Sequence, residues 1–412
     1  MHIVKPLLLV IFIASWAPAG ENWPRFRGPE GNGHSDAVGL PLQWSETENI
    51  RWKTAIHDCG HSSPVVWGNQ IWMTTATEDG KEQYAVCVDC GTGKIVHDIP
   101  VFHNDNPEGI HALNSYASPT PVIEAGRVYV HFGTYGTACI DTRSGKVLWT
   151  RRDLRCEHQA GPGSSPVLVD DLLIFSVDGM DVQYLIALHK ETGETAWKMN
   201  RQADFGDLGR DRRKSFDTPV LIDFNGRRQL ISNAAMEIAS HDPATGELLW
   251  KLRHDGWSNS ASSLLGRGLL FFNIGSEHAE LWAMRPDGQG DVTDTHLVWK
   301  LNKNIPMCSS PILIDDLLFM VDDHGTASCI AADTGDVVWK KKLGGSYWAS
   351  PITAEGRIYF FSEKGVATVI APGREFKQLA VNKLDEGFMA SPAVVGKAIF
   401  LRTKTHLYRV EH

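Results

Sequence analysis

A chain of 412 residues with 42% hydrophobic and 22% charged residues has the apolar content for a large buried core, which excludes a disordered or collagen-like polypeptide. Its formal net charge of −9 argues against general binding to nucleic acid or anionic lipid, since both draw affinity from clustered Lys and Arg. Seven cysteines, an odd number, exclude a scaffold in which every thiol is paired within the chain.

The first twenty residues read as an export signal. His2 and Lys5 open a short polar region, Leu7 to Ala17 form an apolar core, and Ala17-Pro18-Ala19 suits signal peptidase. The predicted organisation is therefore a signal peptide at 1–20 and one domain at 21–412, of which 21–48 is an N-terminal extension. The apolar core is shorter than the roughly 20 residues a helix needs to cross a bilayer, and no later segment is apolar enough, so no transmembrane segment is expected. With no Cys beside the cleavage site, lipid attachment is not expected either. These features predict a soluble, secreted or periplasmic product.

From residue 49 onward the chain repeats itself. Asn49 to Ile56, with Trp52, looks like a single outer strand separated from its sheet. One half-motif follows eight times: a small residue, usually Ser, then Pro and an apolar strand, with the next strand seven residues on. Its copies start at Ser63, Thr120, Ser165, Thr218, Ser263, Ser310, Ser350 and Ser391. Ser263 replaces the proline in its copy, and the Thr218 copy is expected to carry a longer turn at Asp223 to Arg228. The other half-motif is a Gly-containing turn followed four residues later by Trp: Gly145 with Trp149, Gly193 with Trp197, Gly246 with Trp250, Gly335 with Trp339; Gly93 leads instead to His97. Gly supplies the positive φ of a tight hairpin, and the indole offers about 200 Å² of apolar surface to a neighbouring sheet. Each repeat is then a four-stranded antiparallel meander that cannot bury both faces alone, and radial closure leaves only short, protected edges. The final repeat, from Ser391, has only three strands, which Asn49 to Ile56 would complete. The predicted fold is an all-β, eight-bladed propeller closed by its two ends within one blade; an unclosed solenoid is the alternative.

The Thr-Gly-x-x-x-Trp turns resemble the tryptophan-docking motif of pyrroloquinoline-quinone (PQQ) type propellers, and the resemblance covers nearly the whole mature chain. The opening Trp23-Pro24-Arg25-Phe26-Arg27-Gly28-Pro29 is similar to the start of many secreted bacterial proteins with such repeats. The resemblance points to two branches. One comprises the quinoprotein alcohol dehydrogenases, the other non-catalytic propellers such as the lipoprotein of the outer-membrane β-barrel assembly machinery. The dehydrogenases typically carry adjacent cysteines beside the quinone and Glu, Asn and Asp around Ca²⁺. Here no two cysteines are adjacent, no calcium ligand or catalytic base carries across residue by residue, and there is no Cys-x-x-Cys-His for haem. No cofactor is fixed; the resemblance keeps PQQ and Ca²⁺ open. The lipid-bearing cysteine of the assembly lipoprotein is absent as well.

Connectors between blades should emerge on one face, at the mouth of the channel, where ligands are sought. Three in succession carry metal-capable side chains: His57, Cys59 and His61; His103, Asp105 and His111; Cys156 and His158. Of these, His57, Cys59, His61, His111, Cys156 and His158 are candidates for zinc or copper, the alternative being a solvated polar mouth. The insertion from His103 to Asn114 is a candidate lid. Arg210, Arg212 and Arg213, with Arg201 and Lys214 nearby, are candidates for an anionic ligand such as a quinone tricarboxylate, although Asp204, Asp207 and Asp211 offer internal neutralisation. Trp348 is the candidate floor for a stacked cofactor, within a set of pre-strand residues that includes Tyr116, Phe216, Cys308, Phe388 and Met389. Cys87, Cys139 and Cys329 occupy one equivalent position and are expected to pack next to the channel. No Gly-x-Ser-x-Gly or other acyl-transfer signature occurs.

The sequence thus predicts a monomeric binding or scaffolding propeller, with a protein partner or small molecule at the mouth face and no nucleic acid; the alternative is a PQQ-dependent alcohol dehydrogenase.

Overall fold

The computed structural model describes residues 22–275 and 278–412; the predicted signal peptide at 1–20 lies outside the described residues. The chain forms eight antiparallel sheets, each of four meandering strands, two of them widened by a short parallel strand. It is an eight-bladed β-propeller. The first blade comprises Val65–Trp67, Gln70–Ala76, Glu82–Asp89 and Ile95–His103, and six further blades follow the same order. In the eighth, Ala393–Val395, Ala398–Arg402 and His406–Val410 are completed by Ile50–Ala55, so the last sheet is closed by the N-terminal strand.

Burial follows position in the blade. Second and third strands are sandwiched between neighbouring blades and read as continuous apolar runs, as in Leu317–Val321, whereas outer strands such as Val147–Arg151 alternate. The turns joining inner to second strands are two-residue hairpins with positive φ at both positions where the chain carries Asn225-Gly226, Arg267-Gly268 and Glu355-Gly356. In the fourth blade the expected longer turn is absent. Val220–Phe224 and Arg227–Asn233 extend their pairing down to Phe224 opposite Arg227, so the extra residues lengthen the strands.

Neighbouring blades are tied at two radii. At the periphery, the turn glycine of one blade lies flat on the outer-strand aromatic of the blade before it. A Cβ on Gly193 would come within 2.7 Å of the Trp149 ring, and one on Gly93 within 2.7 Å of Trp52. The indole N–H groups then reach turn carbonyls of the next blade: Trp52 to Cys90, Trp149 to Lys190, Trp197 to Pro243, Trp299 to Ala332 and Trp339 to Gly373. His97 fills the same place against Gly145. Every outer strand carries a register shift one residue before this position, which re-aims the side chain there, aromatic in all but the seventh blade, towards its neighbour. Cys87, Cys139 and Cys329 pair with His97, Trp149 and Trp339 on the third strands. They are therefore two strands away from the channel, not beside it, because the repeat position they share belongs to the third strand.

At the axis, in seven of the eight blades, the residue two before the inner strand offers its hydroxyl to a backbone N–H of the preceding blade. The donors and acceptors run Ser63 to Thr120, Thr120 to Ser165, Ser165 to Thr218, Ser262 to Ser310, Ser310 to Ser350, Ser350 to Ser391, and Ser391 back to Ser63, at 2.8–3.1 Å. The last bond crosses the seam where the chain ends meet. There the buried Arg402 donates from Nη1 to Ser62 O, Ser62 Oγ and Thr74 O of the first blade, at 3.0, 2.6 and 2.8 Å. Burial lowers its pKa to about 10. Replacing Arg402 with Met should strand the Ser62 carbonyl, leave Ser62 Oγ and Thr74 O only their bonds to each other's residue, and cost about 2–3 kcal/mol. Chemical denaturation is expected to show that loss, with hydrogen exchange accelerated first in the first and eighth blades; unchanged stability would remove Arg402 from the closure.

Candidate functional site

The extension ahead of the first blade runs through the propeller. Trp23 pairs with Val66 of the first inner strand through two 2.8 Å backbone bonds, and Pro24 O accepts from Ile123 N of the second. Arg25 and Phe26 lie beside Val167, Thr218, Val220 and Ser262, on the third, fourth and fifth blades. Arg27, only 1% exposed, reaches Pro311 O of the sixth at 2.6 Å, and His34–Ser35 runs parallel to the seventh inner strand. By touching inner strands in turn around the axis, this segment crosses the channel and closes the end away from the connectors.

What remains open is a cavity of about 740 Å³ at the connector face. Phe26 of the plug contributes to it from below, the ring residues Ser63, Thr120, Ser165, Thr218, Ser350 and Ser391 line it, and connector side chains form its upper wall. Trp348, Phe216, Cys308 and Met389 are among them, so four of the six pre-strand residues meet here. The Trp348 indole N–H donates to Glu363 Oε2 at 3.1 Å. Tyr116 and Phe388 do not join them: Tyr116 packs on Tyr135 and donates to Glu108 O, while Phe388 packs edge-on against Phe361.

The basic loop contributes differently from expectation. Arg210 pairs with Glu157 at 2.9 Å, Arg213 donates to Leu208 O, and Arg212 lies over the Trp257 ring at 4.8 Å. Arg201 is spent within the wall, in a two-pronged pair with buried Asp178 at 2.7 and 3.1 Å. Beside it, burial raises the Asp217 carboxyl well above the ordinary range. The cation that lines the cavity is Lys214, 8% exposed, whose ammonium donates to Gln159 Oε1 and to Asp211 O. Burial lowers its pKa, with the nearby Asp211 charge acting against that.

The six candidate metal residues do not converge on one point: two pairs come together and His57 and Cys59 stand apart from both. His57 bridges Asp58 and Asp98 at 2.7 and 3.0 Å; burial would lower its pKa, but these two carboxylates raise it overall. Cys59 is exposed and bridges Ala76 through its backbone. His61 and His111 share the cavity wall. Cys156 and His158 pack together, with sulfur 3.6 Å from Nδ1, while Thr134 N donates to Nε2 at 2.9 Å. That bond occupies the Nε2 lone pair and leaves the ring proton on Nδ1. Among the described residues no group of three or more His, Cys, Asp or Glu side chains is placed to hold a metal ion. The His103 to Asn114 insertion is tied down, through Glu108 Oε2 to His158 N and His103 O to Arg152, and helps line a second hollow of about 720 Å³. Phe26, Gln159, Trp257 and Met307 also line the main cavity and were not singled out by the sequence. Their shared signal was position in a connector or in the extension.

A family model described as outer membrane protein assembly factor BamB matches residues 36–199 and 212–412. Comparison with curated proteins gives no match. Among solved structures, the fold is similar to BamB from Moraxella catarrhalis at 12% identity and a TM-score of 0.61, covering 87% of this chain and 99% of that one. A europium-containing methanol dehydrogenase aligns at 12% identity and a TM-score of 0.70, covering 92% and 89%. The quinohemoprotein alcohol dehydrogenase from Comamonas testosteroni aligns at 10% identity and 0.65, covering 94% and 80%. Among the described residues no helix is long and apolar enough to cross a membrane.

Burial lowers the His158 pKa from 6.5 to about 4. The unfolded chain therefore takes up a proton below pH 6.5 that the folded chain refuses until about pH 4, so the stability this residue contributes is complete above 6.5 and lost as pH falls through that window. His158→Gln, which cannot titrate, should lose less stability between pH 7 and 5 than the parent protein does, measured by denaturant melts at both pH values; an equal loss would show that His158 does not carry this dependence.

Proposed function

The chain belongs to the PQQ-repeat propeller family represented by the BamB assembly-factor model, and on that premise we propose that it is an exported binding module that takes a ligand into the blind cavity at its channel mouth. The observation that carries this reading is the crossing of the channel by Trp23 to Ser35, which turns a through-channel into a pocket with one entrance. At about 740 Å³ the pocket is of the size that small-ligand sites occupy.

The lining supports binding over quinone-dependent oxidation. A Ca²⁺ ion takes six to eight oxygen ligands, several of them carboxylate. Asp211 is the one carboxylate among the described residues of the cavity wall, and Cys308 the one cysteine. A quinone with three carboxylates would meet a single ammonium, Lys214, whose hydrogen bonds already go to neutral oxygens. These residues do not fit a Ca²⁺–PQQ pair.

Ser260 lines the cavity, where its hydroxyl donates to Ser258 O and touches the Cys308 thiol, so Ser260→Trp should fill the pocket at the expense of local contacts alone. Ligand-observed NMR with a fragment library should give hits on the parent protein that disappear with this variant at an unchanged melting temperature. Hits that survive the substitution, or none at all, would end the proposal.

A further inference from the structure

We propose that the ligand of this cavity is a neutral saccharide of one or two rings, an inference that rests on the binding reading above and adds the chemistry of what is bound. The first observation is charge. Lys214 and Asp211 are the only formal charges on the described wall, of opposite sign and three residues apart, and the ammonium is hydrogen-bonded to the carbonyl of Asp211 itself. The wall is thus neutral as a whole, and a ligand carrying net charge would meet one ammonium and one carboxylate of opposing effect, which offsets little of its desolvation cost.

The second observation is the kind of hydrogen-bonding capacity left unspent. Each ring hydroxyl that accepts a backbone N–H keeps its own proton to donate. The Gln159 carbonyl is taken by Lys214, but its amide NH₂ has no partner among the described residues. Both ring nitrogens of His61 are likewise without a partner among the described residues, and burial followed by the charge of Arg402 lowers its pKa to about 4, so the ring is neutral and offers one donor and one acceptor. The wall thus offers neutral donors together with an acceptor, and a sugar hydroxyl can engage either.

The third observation is a pair of anchored indoles. Trp348 is held by its N–H on Glu363, and Trp257 is backed by the Arg212 guanidinium at 4.8 Å. Both line the cavity, and each ring is restrained by a contact of its own before a ligand arrives. The electron-rich face of an indole attracts the polarised C–H groups of a pyranose ring, while the equatorial hydroxyls point to the polar rim. A flat aromatic beside mixed neutral donors and acceptors is the complement of an uncharged polyol rather than of an anion or a purely apolar molecule.

The test is calorimetric titration and Trp fluorescence with glucose, galactose, mannose, N-acetylglucosamine, cellobiose and maltose, with glucuronate as the anionic comparison. At least one neutral sugar should bind, about tenfold or more tighter than glucuronate, with a fluorescence change. Trp348→Ala should weaken that binding about tenfold and Gln159→Ala should weaken it without altering the fluorescence maximum, and Trp348→Phe should restore part of the loss if the effect is stacking and not misfolding. Absence of binding by all six neutral sugars, or glucuronate binding as tightly as they do, overturns the saccharide assignment. If fragments still bind in a Ser260→Trp-sensitive way, the pocket stands and only its ligand class has been wrong; if they do not, both readings fall together.

Discussion

Blade-to-blade contact is the constraint on which everything else in this molecule depends. A four-stranded meander has two apolar faces and cannot cover either by itself, so each blade is stable only between two others, and the ring must be complete. The contact is specified twice, once by aromatics resting on turn glycines at the rim and once by hydroxyls accepting N–H groups at the axis. The outer contact requires glycine for two reasons at once: φ is positive, +74° at Gly193, and the indole leaves no room for a Cβ. The inner contact requires a short hydroxyl because a longer side chain would fill the channel.

Those two rings place the candidate site, and the inner one forms part of its wall. Because the ring hydroxyls sit two residues before the inner strands, whatever precedes them on each connector is delivered to the channel mouth at a nearly fixed radius. Trp348, Met389, Phe216 and Cys308, each two positions ahead of a ring residue, reach the cavity for this reason. Residues further back on the same connectors, Arg210 and Cys156 among them, are carried outward to neighbouring blades.

Charge is sorted in the same way. Two buried guanidinium contacts, Arg201 paired with Asp178 and Arg402 donating to backbone oxygens at the seam, lie inside the wall, where desolvation makes a missing partner costly. They order the blades and leave the cavity itself close to neutral. The plug completes the separation: Trp23, Phe26 and Arg27 lie against the inner strands of successive blades, at the end of the channel opposite the connectors.

By itself the sequence determined the number of blades, the meander within each, and the closure of the eighth by residues near the N-terminus, since repeats, turn glycines and apolar runs are local patterns that survive in one dimension. It also concealed two members of the outer ring. Trp299 follows an insertion that carries Gly290–Asp291 onto the neighbouring blade and hides the turn, and Ala380 stands where the other outer strands have Trp or His. The role of Trp23 to Ser35 and the fate of each cation had no local signature at all. Lys214 and Arg210 are four residues apart in one loop, yet one lines the cavity and the other pairs with Glu157, because direction from a connector is set by which neighbouring blade offers a partner. Only the closed ring brings Phe26, His61, Gln159, Trp257 and Trp348 to one pocket, since their meeting depends on radial closure and on the crossing of the channel by the plug.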